Sequence, residues 1–146
     1  MKLVREQQRV WPCFSVLLLL SGCGGVESQC GSPDTRNSIV KIVSDNHNNA
    51  LLNFVVKNSD SVAAMIGDAK SEAEKLAALE TAKAGAVYGL DETVRMTSFN
   101  KATRTATCTG VLAVTVADTS AEKEIEYKVE QTVDGKSLVS VSPFLF

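Results

Sequence analysis

The chain reads as an α+β protein in which N-terminal helices pack on one face of a four-stranded antiparallel meander. Three observations predict this. From residue 32 to about residue 84, apolar residues recur at helical spacing behind helix-start signals. After Gly85 the pattern switches to alternation with period two, broken by turn residues at Asn100–Thr103, Asp118–Ser120 and Asp134-Gly135. A run of helices followed by a run of strands argues for α+β, because the strands have no crossover helices between them to make a parallel sheet.

The first stretch belongs to neither half. Lys2, Arg5 and Arg9 make a basic start, with Glu6 the only acid before Cys23. Phe14-Ser15-Val16-Leu17-Leu18-Leu19-Leu20 then forms a short oily core that ends in Ser21-Gly22-Cys23-Gly24-Gly25. A basic segment, an apolar core of about 7–15 residues and a small-residue exit describe a secretory signal peptide. The run is too short to span a bilayer, which takes about 20 apolar residues.

Leu20-Ser21-Gly22-Cys23 resembles the lipobox of bacterial lipoproteins: Leu, a small residue, Gly, then Cys. The resemblance covers the leader alone. It implies a diacylglyceryl thioether on Cys23, cleavage before it and acylation of the new amino terminus. One acyl chain binds a membrane only marginally, whereas two or more anchor stably. Gly24 follows the cysteine where an Asp would imply retention, so the resemblance implies transfer to the outer membrane. The expected organisation is a signal peptide over 1–22, a lipidated tether over 23–31 and one domain over 32–146.

Of the 15 Lys+Arg and 17 Asp+Glu, three and one fall in the leader, leaving 12 and 16, a net charge of −4 for the remainder. A mildly acidic domain argues against nucleic acid or anionic lipid as a partner, since both reward basic patches. Cys13 lies in the leader and Cys23 would carry lipid, which leaves Cys30 and Cys108. An even pair in an oxidising compartment predicts a disulfide; two independent thiols are the alternative. Closing so long a loop would constrain the unfolded chain by about 4 kcal/mol and pin the tether near the sheet. Neither cysteine has a CxxC partner and His47 is the sole histidine, so no metal site is expected.

Residues 24–31 are rich in Gly and Ser with Glu and Gln, as solvated linkers are. Ser32-Pro33-Asp34 announces a helix: a serine N-cap, a proline whose missing N–H costs nothing in the first turn, and an acid at the positive end of the dipole. Behind it, Ile39, Val40, Val43, His47, Leu51, Phe54 and Val55 share one face, with Lys41, Ser44, Asp45, Asn48 and Asn49 opposite. Asn46-His47-Asn48-Asn49 is poor helix-forming sequence, where a break into two helices is allowed. Lys57–Ser61 reads as a turn and Val62–Gly67 as a short apolar helical turn closed by glycine. Ser71 with Glu74 matches a capping box, opening a helix to about Ala84 with Leu76 and Leu79 inward.

Strands follow. Leu90, Val94 and Met96 alternate with polar residues, although Glu92 breaks the apolar side. Thr105 to Val116 is a long strand with Ala106, Cys108, Gly110, Leu112, Val114 and Val116 on one side and a threonine-rich opposite side. Glu124 to Glu130 alternates cleanly, as a sheet with one wet face should. Asp134-Gly135 suits a hairpin turn, and Leu138 to Val141 returns as the last strand before Pro143. A curved meander wrapped on an N-terminal helix resembles cystatin-like or NTF2-like domains in outline. That likeness implies a fold and no function.

No phosphate loop, H-E-x-x-H or G-x-S-x-G is present. His47 has no nucleophile and orienting acid near it in sequence, so it reads as a residue on or beside a core face rather than a catalytic base. Glu124, Glu126 and Glu130 alternate with Lys128 on an outer face where carboxylates stay ordinary. No catalytic residue and no cofactor is expected. The expected function is a membrane-anchored envelope lipoprotein facing the periplasm, acting as a non-catalytic binding or structural module for a protein partner. The Thr105–Thr115 and Glu124–Glu130 faces are its candidate surfaces. The second reading is an immunity or inhibitor lipoprotein that blocks a toxin or hydrolase, an acidic domain matching a basic cleft. The Ser-Gly-x-x-Tyr element of lipoprotein-type lysozyme inhibitors is missing, which weakens that version of it.

Overall fold

The computed structural model describes residues 29–144; the expected leader, Cys23 and most of the expected tether lie outside the described residues. Four helices come first: α1 (Pro33–Asp45), α2 (Ala50–Asn58), α3 (Asp60–Asp68) and α4 (Glu72–Ala84). Five strands follow: β1 (Val87–Leu90), β2 (Arg95–Asn100), β3 (Thr105–Val116), β4 (Thr119–Gln131) and β5 (Ser137–Val141). They form one curled antiparallel sheet in the order β1-β3-β4-β5, with β2 also paired to β3. The architecture is α+β.

Each helix starts where a side chain accepts from an otherwise free backbone amide. The Ser32 hydroxyl accepts from the Thr35 amide at 3.2 Å, with Pro33 in the first turn. The asparagine run does break the first helix, and Asn49 makes the joint. Its side-chain oxygen accepts from the Leu52 amide at 2.8 Å. Its amide nitrogen donates to the carbonyls of Val43 (3.3 Å) and Asn46 (2.9 Å) and to the Tyr88 hydroxyl (3.2 Å). Asn49 was expected on the wet side and is buried instead, because a capping amide that satisfies three elements must sit between them. The same break turns α2 relative to α1, so the spacing of one continuous helix fails. His47 and Phe54, expected on the core face, are exposed, and α2 buries Leu51, Leu52, Val55 and Val56.

The expected turn at Lys57–Ser61 shrinks to one residue. Ser59 ends α2 and caps α3, accepting from the Val62 amide at 3.2 Å. Its hydroxyl donates to Asp118 at 2.5 Å, and the Ser61 amide also donates to that carboxylate, at 3.3 Å. The Ser59 hydroxyl holds the Asp118 carboxyl below the usual carboxylate range. Gly67 does not end α3, which continues to Asp68. In α4 the Ser71 hydroxyl accepts from the Glu74 amide at 3.2 Å, while the Glu74 carboxylate takes the Lys70 amide at 2.5 Å, one residue ahead of the expected box partner. Leu76 is 61% exposed rather than inward. α4 packs on α3 and α2 instead of the sheet, through the line of Ala78, Leu79 and Ala82, and Leu76 falls beside that line.

β3 is the central strand. Its even residues from Ala106 to Val116 are buried, and they meet Ile125, Tyr127 and Val129 of β4 in one core with Ile39, Val43, Leu51, Leu52 and Val55. Each of the buried Val, Leu and Ile side chains contributes about 1.5–3 kcal/mol by leaving water. The first strand of the expected four-stranded meander is in fact two. β1 lies against Leu112–Thr115 and β2 against Thr105–Thr109, with a shift of register between Met96 and Ser98. At the break over Asp91–Val94, Leu90 and Val94 close over Gly110, where a Cβ would stand 3.3 Å from one and 3.4 Å from the other, so the glycine leaves room for both. Arg36 of α1 seals the break by donating to the carbonyls of Asp91 (3.0 Å) and Leu90. The Thr93 amide donates to the Asp91 carboxylate at 3.2 Å and lowers its pKa below the ordinary value. At the last hairpin Gly135 takes φ of 82°, which a side chain would strain.

Candidate functional site

The threonine face and the acidic face are one surface. Register places Thr105 opposite Glu130, Thr107 opposite Lys128 and Thr109 opposite Glu126, with Val111 opposite Glu124. Odd residues of β3 and even residues of β4 therefore line the side of the sheet turned away from the core, where the glutamates are exposed and the threonines half-buried. Cross-strand neighbours stand about 4.5–5.5 Å apart, close enough for a single ligand group to touch both rows. The neighbouring strands extend the surface at each side. Arg95 of β2 lies 3.6 Å from Glu124, and the Ser142 hydroxyl beyond β5 donates to Glu126 at 3.3 Å. An exposed pair of this kind contributes at most about 1 kcal/mol. A shallow depression of about 530 Å³ lies at one end, between Asn100, Thr105, Thr107, Lys128 and Glu130.

Hydroxyls and carboxylates in this setting suit polar contacts with another molecule. A threonine becomes a nucleophile only beside a base, and His47 lies in the turn between α1 and α2 rather than on either strand of this face. There it is exposed and makes no hydrogen bond among the described residues. Among the described residues no three His, Cys, Asp or Glu side chains converge on a metal-sized site. No described helix is long and apolar enough to cross a membrane.

Cys30 and Cys108 are joined, with 1.99 Å between sulfurs and 6.0 Å between Cα atoms. Both are buried, and the bond ties the start of the described chain to the fourth residue of β3. A second tie sits beside it: the Tyr127 hydroxyl donates to the Cys30 carbonyl at 2.8 Å. Burial pushes the Tyr127 phenol up to about 12. A third lies at the end of the sheet, where the Ser137 hydroxyl donates to the Gln29 side chain at 2.9 Å. Cys23, the expected lipidation residue, lies outside the described residues.

Three residues that position these surfaces carried no functional signal in sequence. Asn49 is legible in retrospect as an N-cap before an apolar run. Asp118 sits in a turn, and its bond to Ser59 spans 59 residues. Arg36 looked like any exposed helix cation, yet it holds α1 to the broken sheet edge. A groove of about 470 Å³ between Ile42, Asn46 and Asn49 on one side and Pro143 and Phe144 on the other contains no titratable side chain. No family model, curated protein or solved structure matches the chain.

Proposed function

We propose that the chain is a lipid-anchored lipoprotein of the bacterial envelope whose body is a non-catalytic binding or structural module. The observation that carries this reading is Leu20-Ser21-Gly22-Cys23 behind a basic start and a short leucine core. A disulfide between Cys30 and Cys108 accords with it, because such bonds persist in exported proteins and are rare in the cytosol. The body is taken as a helix-backed sheet with a cystatin-like or NTF2-like outline, a likeness of shape that implies no activity. Its working surface on this reading is the open face of β3 and β4, whose threonines and glutamates offer a protein partner both hydroxyls and negative charge. The second reading, an immunity or inhibitor lipoprotein, draws on the same acidic row, since Glu122, Glu124, Glu126 and Glu130 would complement a basic cleft.

The anchor is tested by labelling expressing cells with a tagged fatty acid. Wild type becomes labelled and partitions with membranes, whereas Cys23→Ser stays unlabelled and keeps its leader. A mature wild-type chain with an unmodified Cys23 sulfur overturns the proposal. Expression that protects cells against a co-expressed hydrolase or toxin would favour the second reading over the first.

A further inference from the structure

The end of the sheet where the described chain begins differs in character from the rest of the domain. Gln29 is hydrogen-bonded to Ser137, at the last rung between β4 and β5. The turn between β2 and β3 reaches the same end, where the Gln131 amide donates to the Arg104 carbonyl at 3.1 Å. Three cations stand exposed on these two turns: Lys101, Arg104 and Lys136. Asp134 lies 3.7 Å from Lys136 and Glu130 lies one rung back, so the turns remain positive in a domain that is negative overall. The apolar residues there are also on the outside. Val133 is 99% exposed, and with Phe99 and Arg104 it lines a dent of about 370 Å³. Arg104 holds a φ of 52°, a left-handed conformation more usual for glycine or asparagine.

Chain length decides which parts of the domain can meet a bilayer. Five residues separate Cys23 from Gln29. Fully extended, that stretch spans about 20 Å, whereas the 12 residues of β3 run about 40 Å from the Arg104 turn to the Asp118 turn. An anchor at Cys23 therefore cannot let the Asp118 end touch the membrane while Gln29 stands off at the far side. The Lys101–Arg104 and Val133–Lys136 turns lie within its reach.

We infer that this tip is a docking surface for an anionic bilayer, with Val133 and Phe99 entering the boundary with the acyl chains while Lys101, Arg104 and Lys136 meet the headgroup phosphates. The inference rests on the lipid anchor proposed above and adds which way the domain faces. The average charge argued against anionic lipid, but membranes respond to local charge, each cation near such a surface being worth about a fivefold change in partition. With the tip down, the β3–β4 face stands along the membrane normal, with the Thr105–Glu130 rung nearest the bilayer and the Thr109–Glu126 and Val111–Glu124 rungs open to partners.

The test uses the fact that Trp11, the only tryptophan, lies in the leader. The mature chain then has none, so Val133→Trp and Val87→Trp each introduce one reporter. Val87 is 67% exposed and pairs with Thr115 near the opposite end of β3. The lipidated proteins are placed in phosphatidylglycerol-containing vesicles whose acyl chains carry bromine, a contact quencher. Expected is strong quenching at Val133→Trp and little at Val87→Trp, with the former reduced several-fold when Lys101, Arg104 and Lys136 are changed to Glu. Equal quenching at the two positions, or quenching at Val133→Trp unchanged by the three substitutions, overturns the inference. Mass spectrometry of Cys23 in the same preparation separates the two failures. An unmodified sulfur removes the anchor and the reach argument with it, whereas a lipidated Cys23 with an unquenched Val133→Trp removes the tip alone.

Discussion

The two helix pairs are built from similar amounts of apolar residue and do different work. α1 and α2 bury Thr35, Ile39, Val43, Leu51, Leu52, Val55 and Val56 in the core they share with the sheet. α3 and α4 bury only Val62 and Ala82, and leave Met65 and Leu76 exposed. Helix-forming residues are as plentiful in α4 as anywhere in the chain, so propensity does not explain the difference. Tertiary contact does: a helix gains most of its stability in a protein from the face it packs. α3–α4 is held by its own hairpin contacts, by α2 and by the Ser59–Asp118 bond. It is the region expected to open first, since local stability follows buried apolar contact.

The largest effect that bears on this contrast is loss of the disulfide. Changing Cys30 and Cys108 together to Ser frees a loop with a sequence separation of 78 and is expected to cost about 4 kcal/mol, read from urea denaturation. The loss falls on the α1–sheet body, and an unchanged midpoint would show that the loop is already closed by other contacts. Next comes Leu51→Ala against Leu76→Ala. The first empties a fully buried site and should cost about 2–5 kcal/mol. The second sits on an exposed helix face and should stay within about 0.5 kcal/mol. Similar costs for both would erase the distinction between the two pairs. The smallest effect is electrostatic. The Asp118 carboxylate has a folded-state pKa below its ordinary value of 3.8, so the stability it contributes is fully present above that value and is lost as pH falls below it through the lowered folded-state pKa. Hydrogen exchange should show α3 amides opening earlier below about pH 4. Asp118→Asn should remove that pH dependence while leaving α1 and α2 protected.

Much of this plan was legible in the residues. Thr105–Val116 was readable from its threonines at 105, 107, 109 and 115, although Val111 and Ala113 also fall on the wet side, because a central strand with one buried and one wet face marks most of its positions. Ser32-Pro33 and Ser71 announced their helices through cap chemistry, which is local. What escaped was non-local. Leu90 to Met96 looked like one strand because what accompanies its break lies elsewhere in the chain: Gly110 leaves room for Leu90 and Val94, and Arg36 binds the carbonyls of Leu90 and Asp91. Leu76 looked inward because helical spacing gives a stripe but not the neighbour that covers it. The threonine and glutamate rows looked like two surfaces until strand register laid them side by side. Arg36 could not be told from a solvated cation, since its partners are two backbone carbonyls more than fifty residues away.

The crosslink at Cys30 also decides where mechanical force enters the molecule. Tension applied to the front of the chain bypasses α1 and passes through sulfur into β3 at Cys108. There it meets the long ladder that joins β3 to β4 from Thr105 to Val116. Strands pulled along their length share the strain over many hydrogen bonds at once, whereas a helix peeled from its end yields turn by turn. Reduction of that one bond would leave the front of the chain held to the sheet by the Tyr127–Cys30 and Gln29–Ser137 hydrogen bonds, and tension would reach the Ser32 cap once those two gave way.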